Sequence, residues 1–289
     1  MKFGQVTNPE DVDFTLPDDH PDTKAVLASY KKDTPFEVYV GCAKWNRQDL
    51  KGFYPRGTKD ELLYYASQFN SIELNATFYR SPDAEQVKLW RSKTPGDFRF
   101  YPKIPQLISH YKRLLGVKGP LMEFCDAISR FEEHLGISFL QLHDNFGPKN
   151  LDRLMEFVKG YPKGIPLAVE LRNAAWFAGE KESEQLFELL RKEKKPAIIV
   201  DTAGRRDVLH MRLTSGAAFI RYVGANHPGD YIRLDDWLER IGTWRAQGLQ
   251  SLHFFVHQNV EKESPLLSAY FIKKLNKKFK LKLKVPAAG

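Results

Sequence analysis

From Pro35 onward the chain repeats one alternation: a short apolar run, then a stretch long enough for a helix, then another run. The runs are VYVGC (38–42), SIELN (71–75), FRFYPK (98–103), SFLQL (138–142), LAVEL (167–171), AIIVD (197–201), AFIRY (218–222) and LHFFV (252–256). Each has strand length, and the segments between them are long enough for the crossovers that parallel neighbours require. Eight strands, seven linked by such connections and the last followed by a helix, predict one closed parallel (β/α)8 barrel of TIM type with a short N-terminal extension, rather than an open doubly wound sheet. The connection TAGRRDVLHMRLTSG (202–216) has room for only a short helix, so an irregular spoke is expected there. On this scheme Ile72, Leu74, Leu140, Val169, Val200 and Ile220 form the core between strands and helices.

Helix signals fill the gaps. Thr58 and Glu61 have capping-box spacing, Ser81-Pro82 suits an N-cap and first turn, and Asn150 precedes LDRLMEFVKG with Gly160 at its end. DDWLERIGTWRAQ and SPLLSAYFIKKLN supply two more helices. Residues 1–34, rich in Asp and Pro, read as an extension that wraps or frays, and 35–289 as the barrel domain. The seven lysines between Lys273 and Lys284 form a Lys-rich tail, read as a solvated helix face and a frayed end.

Composition narrows the function classes. No apolar run of membrane-spanning length occurs, and the acidic N-terminus has no signal-peptide core, so a soluble cytoplasmic protein without a membrane partner is expected. Cys42 and Cys125 lack CxxC spacing, which argues against a disulfide framework or thiolate zinc site. A net charge of +8 favours an anionic partner, either a small ligand or nucleic acid. An oligomeric partner is not specified by the sequence.

Active sites of such barrels lie at the C-terminal strand ends. Polar residues gather there by parity: Glu73 with Asn75, Tyr101 with Lys103, Gln141 with His143, and Glu170 with Arg172. Asp201 closes the sixth run, Arg221 lies in the seventh, and His257 and Asn259 follow the eighth. A ring of buried charge repeated around a barrel implies a ligand, although the same groups can neutralise one another, as Glu170 with Arg172 or Lys103 with Glu73.

Gly41-Cys42-Ala43-Lys44-Trp45, Phe53-Tyr54-Pro55, Glu73-Leu74-Asn75 followed by Thr77-Phe78-Tyr79, Pro95 through Phe100 leading to Lys103, Gln141-Leu142, Glu170 with Arg172 and Trp176-Phe177, and Asp201-Thr202 resemble the YecE-like family, domain of unknown function 72. The E-x-N-x-T-F-Y segment is the most specific. The resemblance implies a TIM-type barrel and carries no established biochemical role. Cys42 and Lys44 depart from the family's Gly-Thr-Ser-Gly-Trp-like pattern, and His143-Asp144 replace its Pro-Pro.

The preferred chemistry is metal-free acid/base catalysis on a phosphorylated or otherwise anionic ligand, as in a hydrolase or lyase. Glu73, Lys103, Glu170 and Asp201 are the candidate catalytic residues, and no cofactor is expected. Trp45, Asn75, Tyr79, Gln141, Arg172, Trp176, Arg221 and Asn259 are candidate ligand contacts, with the aromatic rings available for stacking or for packing over the rim. Gly224 and Gly229 in VGANHPGD, with the helix start near Ser264-Pro265, mark a candidate phosphate pocket. A divalent metal on Glu73, Glu170, Asp201, His143 and His257 is one alternative, opposed by Lys103, Arg172 and Arg221 and unsupported by HxH or HExxH spacing. His253 and His257 share parity, which suits packed histidines as well as ligands. A non-catalytic nucleotide or nucleic-acid binder is the other alternative; no GxSxG elbow is present.

Overall fold

Each apolar run contains a strand in the computed structural model, which describes residues 4–179 and 181–287. The strands are β1 (Glu37–Cys42), β2 (Ser71–Leu74), β3 (Arg99–Pro102), β4 (Ser138–Gln141), β5 (Leu167–Glu170), β6 (Ile199–Asp201), β7 (Ala217–Gly224) and β8 (Ser251–Gln258). The helices are α1 (Pro21–Ala28), α2 (Glu61–Gln68), α3 (Ala76–Tyr79), α4 (Ala84–Ser92), α5 (Lys118–Ser129), α6 (Leu151–Gly160), α7 (Lys181–Lys192), α8 (Gly229–Gln247) and α9 (Ser264–Phe279). Between β6 and β7 stand only the 3-10 turns of Ala203–Val208, the irregular spoke expected from its length.

Two helix starts differ from the sequence reading. Asp60, not Thr58, caps α2 by accepting from the Leu63 N–H, while the Thr58 hydroxyl donates to the Pro55 carbonyl and closes the preceding turn. Likewise Asp83, not Ser81, caps α4. In both places a carboxylate outcompetes a hydroxyl because it accepts more strongly and complements the helix dipole.

All pairings are parallel. They build a six-stranded sheet in the order β3-β2-β1-β8-β7-β6 and a two-stranded sheet, β4-β5. Isolated parallel bridges run from Lys103 to Phe139 and from Val169 to Ala197, but no ladder closes either sheet. The observed architecture is therefore a mixed α/β fold built mainly on a parallel sheet. At the β1–β2 contact only glycine fits, because a Cβ on Gly41 would lie 2.2 Å from the Ser71 carbonyl oxygen.

Alternation along the strands separates two apolar clusters. Ile72, Leu74, Leu140, Val169 and Ile220 join the large cluster under the helices, as expected. On the other strand face Tyr101, Phe139, Ala168, Ile198, Val200, Phe219 and Phe255 form a smaller, aromatic-rich cluster. Val200 thus faces away from the helices and Asp201 faces towards them, the reverse of the parity assigned from sequence. The run Ala197-Ile198-Ile199-Val200 is apolar at every position, so it carries no alternation from which to read a face. His253 is packed in this inner region, with Tyr101 Oη 2.7 Å from Nδ1 and Ser251 Oγ 2.9 Å from Nε2.

The extension is ordered by specific contacts. Helix α1, begun by Pro21 and capped by the His20 ring, docks through Thr23 onto the Met211 carbonyl. Ahead of it, the Gly4 carbonyl accepts from the Gly204 N–H at 2.8 Å. Beyond α9 the lysine-rich segment does not fray: Leu281 and Leu283 pack on the core, and the Asn276 side chain holds both backbone groups of Leu283. Among the described residues no helix is long and apolar enough to cross a membrane.

Candidate functional site

At the C-terminal ends of the strands the inner face changes from aromatic to charged. Arg221, inside β7, reaches across to β2 and β5. Its Nε and Nη2 donate to Glu73 at 2.8 and 2.7 Å, and its Nη1 donates to Glu170 at 2.6 Å. Arg172 Nε donates to the other Glu170 oxygen at 2.6 Å. His257, from β8, places Nε2 3.1 Å from Glu73. Lys103 Nζ donates to the Gln141 amide oxygen at 2.9 Å, an oxygen that Arg221 also approaches at 3.3 Å.

The segment ELNATFY explains itself residue by residue. Glu73 is fully buried under the arginine, and Asn75 Nδ2 holds its carboxylate at 2.8 Å. The Thr77 hydroxyl bridges the carbonyls of Leu74 and Lys103, at 2.9 and 2.7 Å, tying the end of β2 to the residue after β3. The Phe78 ring lies 4.1 Å from Lys103 Nζ. Tyr79 stands 74% exposed at the rim.

Above this layer opens a cavity of about 680 Å³, walled by Asn75, Phe78, Tyr79, Lys103, Gln141, Arg172 and Arg221 from the strand ends, with His110, Arg113 and His143 from the loops. Lys44 and Glu261 complete its charged lining. Cations therefore exceed carboxylates even when the buried Glu73 and Glu170 are included.

Burial alone would raise the Glu73 carboxyl, but Arg221 and His257 outweigh it and hold the group well below its ordinary range. Glu170 is likewise pulled down, to about 2, because Arg221, Arg172 and Lys103 overcome its burial. Both carboxyls are thus held towards the ionised form, which favours a base or electrostatic role for them over that of a proton donor. Lys103 moves the other way. Burial and the Arg221 charge, with Arg172 adding, lower it to about 7 against the pull of Glu170 and Glu73. His110 is held at about 4 by burial and by Lys103, and stands in the cavity wall as neutral imidazole.

Four expected site residues lie elsewhere. Asp201 sits beneath the helices, bonded to Arg206, to Arg233 at 2.9 Å and to Trp237 Nε1 at 2.8 Å. Trp176 is fully buried, its indole donating to the Phe146 carbonyl at 2.7 Å. Trp45 packs edge-on against Trp90, with ring centroids 5.8 Å apart. Asn259 is half-buried and outside the cavity lining. Indoles near a strand end covered a neighbouring loop or helix rather than a ligand.

In the candidate phosphate pocket after β7 a cavity of about 350 Å³ remains, but backbone N–H groups of the loop are engaged by the protein itself. Asp230 accepts from the N–H groups of Ala225 and His227, and Gln258 accepts from that of Asn226. A buried carboxylate thus occupies the anion-binding backbone. Among the described residues no group of three His, Cys, Asp or Glu side chains converges as a metal site. Asp144 pairs with Arg205, at 3.6 Å. Phe78, His110 and Arg113 were not foreseen; His110 lies in a π-helical turn, Leu107–Tyr111, in a segment without a periodic signal.

A profile for the protein of unknown function DUF72 matches residues 39–288. The UPF0759 protein YecE of Escherichia coli is 29% identical over 229 residues, covering 72% of this chain and 82% of its own. YunF of Bacillus subtilis, also UPF0759, is 26% identical over 156 residues, with 49% and 52% covered. Among solved structures, a DUF72 protein of Thermotoga maritima superposes with a TM-score of 0.69 at 26% identity, covering 83% of this chain and 99% of the other. One from Enterococcus faecalis gives 0.66 at 18% identity, covering 85% and 98%.

Proposed function

The chain belongs to the DUF72 family, and on the geometry of its strand-end cavity we propose that it binds a small anionic ligand, phosphorylated in the preferred case, and acts on it by metal-independent acid/base chemistry. In this reading the two sheets are arcs of one (β/α)8 barrel, a view supported by the parallel bridges at both seams, Lys103 to Phe139 and Val169 to Ala197. The cavity is then the barrel mouth, and the protein works in the cytoplasm as an enzyme of the hydrolase or lyase kind.

One observation carries the assignment: a lysine that titrates near neutrality lines a cavity in which the other buried charges are fixed. Arg221 is clamped between Glu73 and Glu170, so it serves as an electrostatic frame. Arg172 at the wall, with Arg113 and Lys44, supplies attraction for a phosphate or carboxylate. Lys103 is the group that gains or loses a proton during turnover. Metal ions would compete with arginines already bonded to both carboxylates, which is why the metal-dependent alternative ranks second.

Thermal unfolding with inorganic phosphate and pyrophosphate tests the reading, since a ligand at a hundredfold excess over its Kd stabilises by about 2.7 kcal/mol. The expected result is a shift in the parent protein that Arg172→Ala abolishes. A shift that survives Arg172→Ala but disappears when the lysines of 273–284 become glutamine assigns the binding to the tail and overturns the proposal. A full equivalent of zinc or manganese in the purified protein, with destabilisation by chelator, replaces it by the metal-dependent alternative.

A further inference from the structure

Among the cations lining the cavity, Lys103 is the buried amine; Arg113 likewise donates to a neutral amide, Asn145 Oδ1 at 2.7 Å, but it is a guanidinium and only partly buried. Arg172 and Arg221 donate to buried carboxylates, and Lys44 pairs with Asp49 at 3.1 Å. Lys103 Nζ instead donates to a neutral amide oxygen, that of Gln141, and faces the π-cloud of Phe78. The side chain is 7% exposed, and it borders the cavity. An amine so placed, screened from water yet open to a ligand, meets the requirements of a carbonyl nucleophile.

We propose that Lys103 forms an imine with the carbonyl of a small anionic aldehyde or ketone bound in this cavity. The inference rests on the anion-binding reading above and names its substrate class. The nitrogen lone pair forms the C–N bond while the C–O π electrons move to oxygen. The two amine protons are transferred to that oxygen, which departs as water, so amine plus carbonyl gives imine plus water with no oxidant or reductant.

Three features support this step over simple proton transfer. Arg221 and the desolvated floor favour the neutral amine, the only form with a lone pair. Glu73 and Glu170 stay ionised, so they stabilise the positive charge that arises when the neutral imine takes up a proton from solvent. Arg172 and Arg113, in the same wall, hold an anionic group while the carbonyl goes to the amine.

Pyridoxal 5'-phosphate, an anionic aldehyde whose imine absorbs visible light, is the probe, and borohydride is the added reductant that fixes the imine. Pyridoxamine 5'-phosphate carries the same anion and ring but has no carbonyl. The expected result is a reduced adduct on the Lys103 peptide, prevented by excess inorganic phosphate and absent in Lys103→Met and Lys103→Arg. Adducts confined to surface lysines, with pyridoxamine 5'-phosphate still bound in an Arg172-dependent manner, overturn the imine and leave the anion site standing. Absence of binding by aldehyde, amine and phosphate alike overturns both. Because the adduct is mapped in the unsubstituted protein, the conclusion does not depend on the folding of any variant.

Discussion

Two buried charge clusters stand at the C-terminal ends of these strands, and they are finished in different ways. Around Asp201 the charges are paired with one another: Arg206, Arg233 and Trp237 take the carboxylate, and Arg233 also holds Asp230 at 3.0 Å, with the Arg233 Nε left without a partner. The N-terminal extension packs against this cluster, and the two share the wall of a cavity of about 680 Å³ that Arg233 lines with Phe14. Phe14 lies 4.2 Å from Arg233, and Arg206 Nη2 donates to the carbonyls of Phe14 and Thr15, at 3.2 and 3.0 Å. Around Arg221 the arginine is saturated, but the cluster faces a cavity and includes Lys103, which lacks a carboxylate of its own. The contrast teaches that burial of charge alone does not mark a site. A cluster whose charges pair with one another fixes structure, whereas one that keeps a perturbed amine on a neutral partner has something left to do.

The sharpest way to break this comparison is to remove each hub. Arg221→Met should destabilise by about 3–5 kcal/mol in urea unfolding at neutral pH, because Glu73 and Glu170 lose the cation they share. A change near zero would show that the carboxylates find other partners and that the frame is not structural. Asp201→Asn should lose about 3 kcal/mol, since three donors keep a weaker acceptor, yet leave any phosphate-induced thermal shift unchanged. If the shift disappears with Asp201→Asn, the two clusters are one functional unit.

The pH dependence separates them next. Glu170 titrates below its ordinary 4.5, so its stabilising contribution is present above that value and lost as pH falls towards about 2, a limb worth roughly 3 kcal/mol. Lys103 gives the opposite sign. Its pKa is lowered from 10.5 to about 7, so the penalty for burying the cation is full below pH 7 and disappears as pH rises through 10.5. Arg221, Arg172, Glu170 and Glu73 act on it, and stability should climb across that window; Lys103→Met should flatten the climb and, because Lys103 is one of three cations holding Glu170 down, shrink the acid limb without abolishing it. The smallest effect is expected from Phe14→Ala, about 1–2 kcal/mol from lost ring packing against Arg233, with pyridoxal 5'-phosphate labelling unaltered.

The Arg221 cluster was legible in the sequence where alternation was clean. In Ser71-Ile72-Glu73-Leu74-Asn75, polar and apolar residues alternate, so the face of Glu73 followed from parity, and Glu170 and Arg172 followed in the same way, while Arg221 was placed only by lying within the seventh run. Asp201 was misplaced because its run is apolar throughout and a one-residue error reverses the face. Trp176 and Trp45 were misplaced for another reason: chain position near a strand end does not tell which way an indole turns. The glycines after β7 did announce an anion-binding loop, but not that Asp230 already engages its N–H groups. The sequence did not show that an arginine from a strand far away in sequence lies between the two glutamates, where its field outweighs burial and holds both carboxyls low. The eight runs indicated the strands, while only single bridges link the two sheets, a detail that periodicity does not encode.

The first strand pairs with the last, from Glu37 opposite Ser251 to Cys42 opposite Val256. On a ribosome that adds about 5–20 residues per second, β1 waits roughly 10–40 s for that partner to be made. During synthesis β1 has one edge covered by β2 and the other bare, next to an apolar surface that later lies under α9. A nascent chain held in that state is a template for strand addition by its neighbours. Slow translation or a stall before Ser251 therefore exposes this protein to aggregation in a way that its folded stability does not reveal.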